Sequence, residues 1–448
     1  MSKHSRGHDV GDLKACVAEV LGLARRLGAS QAEASASFDT GLSVGVRMRS
    51  VETLEYQRDQ GLGVTVYLGK RKGSASTTDL QPAAIEESVR KAMSLARHAA
   101  EDDCAGLADP ERLARDIPDL DLWHPWSMDA AAAIDLATRC ETAALEHDPR
   151  ITNSEGASVG SRDGARAYGN SHGFLEGYRS SSHSLSCAVL ASDGSEMERD
   201  YEFTTARDPV ELMAAPAVGR EAATRALARL GARKIDTRTA PVLYPARLAR
   251  GLLAPLVGAL SGRALYRRAS FLLDSLGTRV LADHVGIDER PHLPKALASA
   301  PYDGEGVATA DRQLIEAGVV RGYVLGSYSA RKLGMQSTGN AGGVYNLVVS
   351  SSAGSPGFDE LLAELGTGFL VTELMGSGIN PVTGDYSRGA TGFWVEGGRI
   401  RFPVSEVTVA GNLRDMYRDI IAIGGDVDLR GAIRSGSILV REMTIAGS

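Results

Sequence analysis

Hydrolytic chemistry in this 448-residue chain would have to come from its nine histidines, two serine motifs or a row of carboxylates. The histidines stand at 4, 8, 98, 124, 147, 172, 183, 284 and 292. A hydrolytic zinc site needs three or four His, Cys or carboxylate donors together, and a base beside the metal-bound water. His4 and His8 have helical spacing in a polar stretch, while His284 and His292 have Asp283, Asp288 and Glu289 nearby in a loop-like segment. Both pairs read better as surface segments than as metal centres. Gly169-Asn170-Ser171-His172-Gly173 has the spacing of a serine nucleophile on a strand-to-helix turn. Phe174 to Ser186 reads as a strand, so a hairpin turn is the expectation and Ser171 is the alternative nucleophile. Ser329-x-x-Lys332 has the spacing of a serine with a lysine base, without a Lys-Thr-Gly to follow it. Glu196, Glu198, Asp200 and Glu202 alternate, which puts four carboxylates on one face of a strand. Such a row keeps an open edge soluble or docks a basic partner.

The segment Gly376 to Gly389, leading into Thr391-Gly392-Phe393-Trp394, is the densest in glycine and polar groups. Its glycines let the backbone approach another chain closely, and Asn380, Asp385, Tyr386 and Arg388 are its candidate peptide or partner contacts. A turn packed under its own domain is the competing reading.

The elements that position these groups follow from hydrophobic period. Leu13, Val17, Val20, Ala24 and Leu27 predict a helix ending at Gly28, with Asp9 or Asp12 as cap. Period two at Leu42 to Met48 and Leu62 to Leu68 predicts strands, with a turn over Gly69 to Gly73. Gln81-Pro82 opens a second helix, and residues 105–125 read as a linker or irregular wrap. Ser127 is expected to cap a helix to about His147. A second meander follows from Ala157 to Phe203, with turns at Asp163-Gly164, Asn170 to Gly173 and Asp193-Gly194. Asp208-Pro209-Val210-Glu211 predicts a helix to Leu230, perturbed at Pro216. Beyond Arg233 to Pro241, two helices near 246–274, short strands, and helices at Phe358 to Leu365 and Leu413 to Ile421 are expected. Leu252, Leu253, Leu256, Val257 and Leu260 read as the core face of one helix, bent or broken at Pro255. The fold class is α+β with antiparallel sheets, in three parts at 1–115, 116–235 and 236–448, the last rich in strands and glycine.

Net charge is −7 and basic clusters such as Lys70-Arg71-Lys72 are short, which argues against nucleic acid as a partner. Neither phosphate-cradling motif fits: Gly63 to Lys72 is one residue too long, with Arg71 where Ser or Thr must bind magnesium. Four scattered cysteines, at 16, 104, 140 and 187, suit free thiols in a reducing compartment. No apolar run approaches the roughly 20 residues that span a bilayer, and the N-terminus lacks a signal-peptide core. The expectation is a cytoplasmic protein.

Asn380-Pro381-Val382-Thr383-Gly384-Asp385-Tyr386-Ser387-Arg388-Gly389, Phe271 to Gly277, Ser337 to Ala341 and Pro403 to Thr408 together resemble the PmbA (TldE) branch of the TldD/PmbA family, from about Asp12 to Ala446. That resemblance implies a metallopeptidase complex acting on unfolded peptides, including natural-product precursors, and a link to modulators of gyrase-directed toxins. It also places a His-Glu-x-x-x-His zinc helix at residues 254–259, where this chain carries Ala254, Pro255 and Ala259. The cysteine found near the C-terminus of the TldD branch is missing too. The resemblance therefore implies no cofactor in this chain, zinc in a TldD-type partner, and a supporting role for this subunit. A homodimer of the isolated chain is expected from a surface built for a related partner. A metal-independent hydrolase using Ser171 or Ser329, and a peptide binder without cleavage, are the alternatives.

Overall fold

The computed structural model describes residues 9–447. His4 and His8 lie outside the described residues. Helix α1 (Val10–Arg26) starts at Asp9, whose carboxylate accepts from the Asp12 amide at 2.8 Å, and buries Leu13, Val17, Val20 and Ala24. Strands β1 (Gln31–Arg47), β2 (Ser50–Leu68) and β3 (Arg71–Thr77) follow, then α2 (Pro82–His98). The expected turn over Gly69 to Gly73 is shorter, because Arg71 already pairs with Leu68. Helix α3 (Ala130–Leu145) is capped by Asp129, not Ser127: the Asp129 carboxylate accepts from the Ala132 amide at 2.8 Å. Strands β4 (Ile151–Asn170), β5 (Leu175–Ser192) and β6 (Met197–Ala206) complete one antiparallel sheet in the order β3-β2-β1-β4-β5-β6.

β4 runs straight through Asp163-Gly164, where a turn was expected. A side chain at Gly164 would meet the Asp39 carboxylate at 2.2 Å and the Phe38 carbonyl at 3.0 Å, so this glycine serves close strand contact. Asp208 begins only a short 3₁₀ turn, Pro209–Glu211, and helix α4 (Ala215–Ala228) starts afresh with Pro216 in its first turn. Proline in the first turn leaves no intrahelical bond unmade, so Pro216 initiates this helix instead of disturbing it. Helices α1 and α2 cover one half of the sheet face and α3 and α4 the other, each over its own core.

The C-terminal part contains β7 (Arg238–Tyr244), α5 (Ala246–Ala259), α6 (Gly262–Tyr266), β8 (Val285–Glu289), β9 (Arg312–Glu316), β10 (Val319–Val320), α7 (Ser327–Lys332) and β11 (Leu347–Ser351). It continues with α8 (Phe358–Leu365), β12 (Gly368–Met375), β13 (Asp385–Glu396), β14 (Arg399–Asn412), α9 (Leu413–Arg418), β15 (Ile420–Ile423), β16 (Ile433–Arg434) and β17 (Ile438–Ala446). The helix expected to reach Ile421 thus ends at Arg418, and β15 takes the remaining residues. β14 pairs with both β13 and β17, so β14-β13-β12-β7-β17 closes into a five-stranded ring with β15 attached to β17. Closure leaves those five strands without a bare edge. A smaller sheet, β10-β9-β8-β11-β16, lies beside it.

Residues 105–125 wrap between the parts: Ala108, Leu113 and Ala114 pack with Tyr168, Phe174, Tyr302 and Val307. Arg331 fastens this wrap by donating to the carbonyls of Cys104, Gly106 and Leu107. Among the described residues no helix is long and apolar enough to cross a membrane.

Candidate functional site

Helix α5 occupies the place where the resemblance puts the zinc ligands. It runs as one element across Pro255, which was expected to bend or break it. One turn back stands Gly251, partly exposed, where the backbone has room to tilt its carbonyl outward from the proline ring. Leu252, Leu253, Leu256 and Ala259 face the core, and the Tyr417 hydroxyl donates to the Leu252 carbonyl at 2.8 Å. Ala254 is exposed and Ala259 buried, so the two positions point to different surroundings. Five residues at about 100° each separate them by roughly 140° around the helix. Alanine and proline side chains have no lone pair to offer, so a zinc ion does not fit the three positions as they stand. Among the described residues no other cluster of three His, Cys, Asp or Glu side chains is placed to hold a metal.

The two histidines with acidic neighbours are committed elsewhere. His284 bonds the Ser351 hydroxyl at 2.9 Å and the Ile420 carbonyl at 3.0 Å, while His292 bonds the Thr309 hydroxyl at 2.9 Å. Their acidic neighbours diverge: Asp283 pairs with Arg279, Asp288 with Arg290, and buried Glu289 with Arg312 and the Asn340 amide. Ser171 sits in the β4–β5 hairpin turn, with its hydroxyl accepting from the Ala32 amide at 3.0 Å. Ser329 donates to the Gly326 carbonyl at 3.0 Å. Lys332 is held by Asp102 at 2.9 Å, and hydrogen bonding to that carboxylate raises its pKa. A lysine base needs the opposite shift.

The loop before β13 divides the four candidate contacts. Asn380 is exposed, and its side chain accepts from the amides of Val382 and Thr383. Asp385 is exposed and accepts from the Thr383 hydroxyl at 2.6 Å and the Asn412 amide at 3.0 Å, which together hold its carboxyl below the usual range. Tyr386 turns into the core, and burial raises its pKa. Arg388, half-buried, donates to the Leu374 carbonyl at 3.3 Å. Asn380 and Asp385 thus brace the loop itself, leaving Ser377, Gly378, Pro381 and Val382 exposed along its rim.

The acidic row on β6 is the feature whose surroundings its spacing did not reveal. Asp200 and Glu202 are each 3% exposed, and not on an open face: α4 covers them and arginines from both parts of the chain reach them. Arg229 lies 3.0 Å from Glu198, 3.6 Å from Asp200 and 2.6 Å from Glu373 on β12. Burial works against the Arg229 charge, but these three carboxylates outweigh it and raise its pKa. Arg247, in the first turn of α5, reaches Asp200 at 3.4 Å and the Thr372 carbonyl at 2.6 Å. Arg430 pairs with Glu202 and Asp428, and Arg225 with Glu202 and Glu221. The basic partner of the acidic strand is this chain itself. Nearby, Arg207 donates to the carbonyls of Ser181, Ala296 and Leu297, a further tie across the same seam.

A cavity of 1290 Å³ opens along this seam, lined from one side by β6 and α4 and from the other by Pro245 to Arg247, Phe358, Phe393 and residues near 426–434. Its size and mixed wall, apolar with convergent charged groups, suit an extended organic ligand. The alternation of four acids was the signal available in the sequence; the arginines that answer it are distributed from 225 to 430.

The helix-covered antiparallel sheet and the closed five-stranded ring fall on the successive domains of a metallopeptidase family. The chain belongs to that family: it matches PmbA/TldA metallopeptidase domain 1 over residues 32–96, the central domain over 123–230 and the C-terminal domain over 237–447. Within it the chain stands in the PmbA branch. It is 51% identical to metalloprotease PmbA of Escherichia coli O157:H7, over 93% of this chain and 92% of that one. It is 46% identical to the PmbA homolog of Haemophilus influenzae, over 98% and 96%. Among solved structures, a Bacteroides thetaiotaomicron protein described as a candidate modulator of DNA gyrase superposes with a TM-score of 0.91 at 28% identity, covering 97% of this chain and 99% of that one. TldE of Thermococcus kodakarensis shares the fold, with a TM-score of 0.85 at 19% identity over 96% and 100%.

Proposed function

We propose that this chain is the metal-free subunit of a cytoplasmic peptidase complex, in which a TldD-type partner holds the zinc and this subunit completes the chamber for unfolded or precursor peptides. The observation that carries the reading is the chemistry of α5: the metal positions are Ala254, Pro255 and Ala259, and the helix is otherwise committed to the core. The relatives named metalloprotease support the peptidase setting. In this reading the exposed rim around Asn380 and Asp385 meets the partner or the peptide. Binding of peptides without cleavage is the second reading, favoured by the seam cavity. The test measures zinc content and peptide cleavage for this chain alone, the TldD-type partner alone and the two mixed. Zinc in the partner and cleavage dependent on mixing are expected; stoichiometric zinc and cleavage by this chain alone would overturn the reading.

A further inference from the structure

The seam cavity leaves one cation unanswered. Arg225, Arg229, Arg247, Lys295 and Arg430 on its wall each have a carboxylate within ion-pair distance. Arg434, on β16 at the same wall, has no ion pair or side-chain hydrogen bond among the described residues, and its Nε is buried without an acceptor. The side chain is half-buried, and burying its Nε–H with nothing to accept from it costs the fold, a cost that a ligand supplying the acceptor from the cavity removes.

We infer that the cavity binds the free carboxylate at the end of a peptide, with Arg434 as its receptor. Three features select this chemistry. A single unpaired guanidinium balances a single negative charge, and its planar fork matches a carboxylate with two parallel hydrogen bonds. A second negative charge, as on phosphate, would go unbalanced, because Arg247 and Arg430 on the same wall already pair with Asp200, Glu202 and Asp428. Phe358, Leu370 and Phe393 give the same cavity an apolar surface for a peptide side chain. The assignment rests on the peptide-handling reading above and adds which end of the peptide this subunit holds.

The test is fluorescence anisotropy with an N-terminally labelled Gly-Gly-Ala-Phe peptide, as the free acid and as the C-terminal amide, on the full chain and on Arg434→Met and Arg434→Lys. The acid is expected to bind the unmodified chain about tenfold or more tighter than the amide, the scale of hydrogen bonds to a charged group. In Arg434→Met the acid should fall to the level of the amide, whereas Arg434→Lys keeps the charge without the fork and part of the preference. The thermal midpoint of Arg434→Met should equal or exceed that of the unmodified chain, because no internal partner is lost. Equal binding of acid and amide, an undiminished preference in Arg434→Met, inorganic phosphate competing as well as the unlabelled acid, or a marked fall in the Arg434→Met midpoint would each overturn the assignment. Cleavage by the mixture with the TldD-type partner, without any preference for the acid, removes the carboxylate site and leaves the subunit reading. Acid preference without cleavage by the mixture supports the site and removes that reading.

Discussion

Replacing Arg229 with Met tests whether the arginine-carboxylate seam holds the two parts of the chain together. The guanidinium contacts Glu198 at 3.0 Å and Asp200 at 3.6 Å on β6, and Glu373 at 2.6 Å on β12, with side-chain exposures of 11% for Arg229, 18%, 4% and 33% for the three acids. Removing one member of a buried ion pair costs about 3–5 kcal/mol, because its partner stays buried and charged. Asp200 keeps Arg247 at 3.4 Å, and Glu373 is wet enough to contribute little. The lower end, about 3 kcal/mol, is therefore expected. At about 2–4 °C per kcal/mol for a unit of 150–250 residues, the thermal midpoint at pH 7 should fall by roughly 6–12 °C. Tryptophan fluorescence can follow it, since Trp123 and Trp126 belong to the first part and Trp394 to β13. The pH dependence adds a second check. Burial already raises the Glu198 pKa against the pull of Arg229, and loss of Arg229 raises it further. A raised carboxylate favours the folded state fully below its unfolded pKa and loses that advantage as pH rises through the folded one. The deficit of the variant should therefore be largest at neutral pH and shrink on acidification. A midpoint within about 2 °C of the unmodified chain at pH 7, or a deficit that grows towards low pH, refutes the reasoning.

Three further outcomes can be measured. Met48 and Arg49 join β1 to β2 with φ of 49° and 62°, the left-handed region that the two-residue hairpin turn requires, and buried Glu141 accepts from both of their amides at 2.8 and 2.7 Å. Met48→Asn with Arg49→Gly should raise the urea midpoint by the equivalent of about 1 kcal/mol, and a lowered midpoint rejects the strain argument. In Gly219→Ala the new carbon would lie 2.0 Å from the Cys140 carbonyl, so α3 and α4 must separate; a loss of about 2–3 kcal/mol in denaturant titration is expected, and no loss means the helices do not pack so closely. Burial pushes the Asp303 carboxyl up to about 6, despite the amides of Ala341, Glu305 and Val307 that donate to it. Its contribution to stability is complete below pH 3.8 and disappears as pH rises through about 6. Asp303→Asn should flatten that segment of the stability-pH curve; superimposable curves for the two proteins would count against the assignment.

Sequence legibility followed the range of the interaction. Leu13, Val17 and Val20 at helical spacing, and Leu62, Val64 and Val66 at spacing two, are buried in α1 and β2 as their periods require. Those patterns report which face is covered, and a local cap such as Asp9 is within reach of the same reasoning. Asp163-Gly164 misled because glycine serves close strand contact as readily as a turn, and the Asp39 that decides it is more than a hundred residues away. Pro216 misled for a related reason: the break that makes it an initiator lies in the preceding 3₁₀ turn. The β6 acids were legible as a face but not as a seam. Alternation fixes that Glu198, Asp200 and Glu202 point the same way, yet only the fold brings Arg229, Arg247 and Arg430 to them. Arg434 carries no local signal at all, since what distinguishes it is the lack of an acceptor around it.

The helix without donor atoms is still tied to the site. Pro245, Ala246 and Arg247, at the start of α5, form part of the cavity wall, and Arg247 locks that end to Asp200 and to the Thr372 carbonyl. Further along, Leu252, Leu253 and Leu256 anchor the helix in the C-terminal core, and the Leu252 carbonyl receives the Tyr417 hydroxyl. A helix with fixed ends cannot move without shifting the cavity wall, because close-packed cores transmit displacement. On the proposed reading, loss of the metal ligands therefore leaves α5 a structural duty: it holds the first turn, and with it Arg247, against the acidic strand. Substitutions at exposed Ala254 should be tolerated, whereas substitutions at Arg247 act on the cavity wall directly and those at Leu253 through the core packing of the helix. The metal positions and the cavity wall belong to opposite ends of one rigid element, so chemistry at the former can be removed while the shape of the latter is kept.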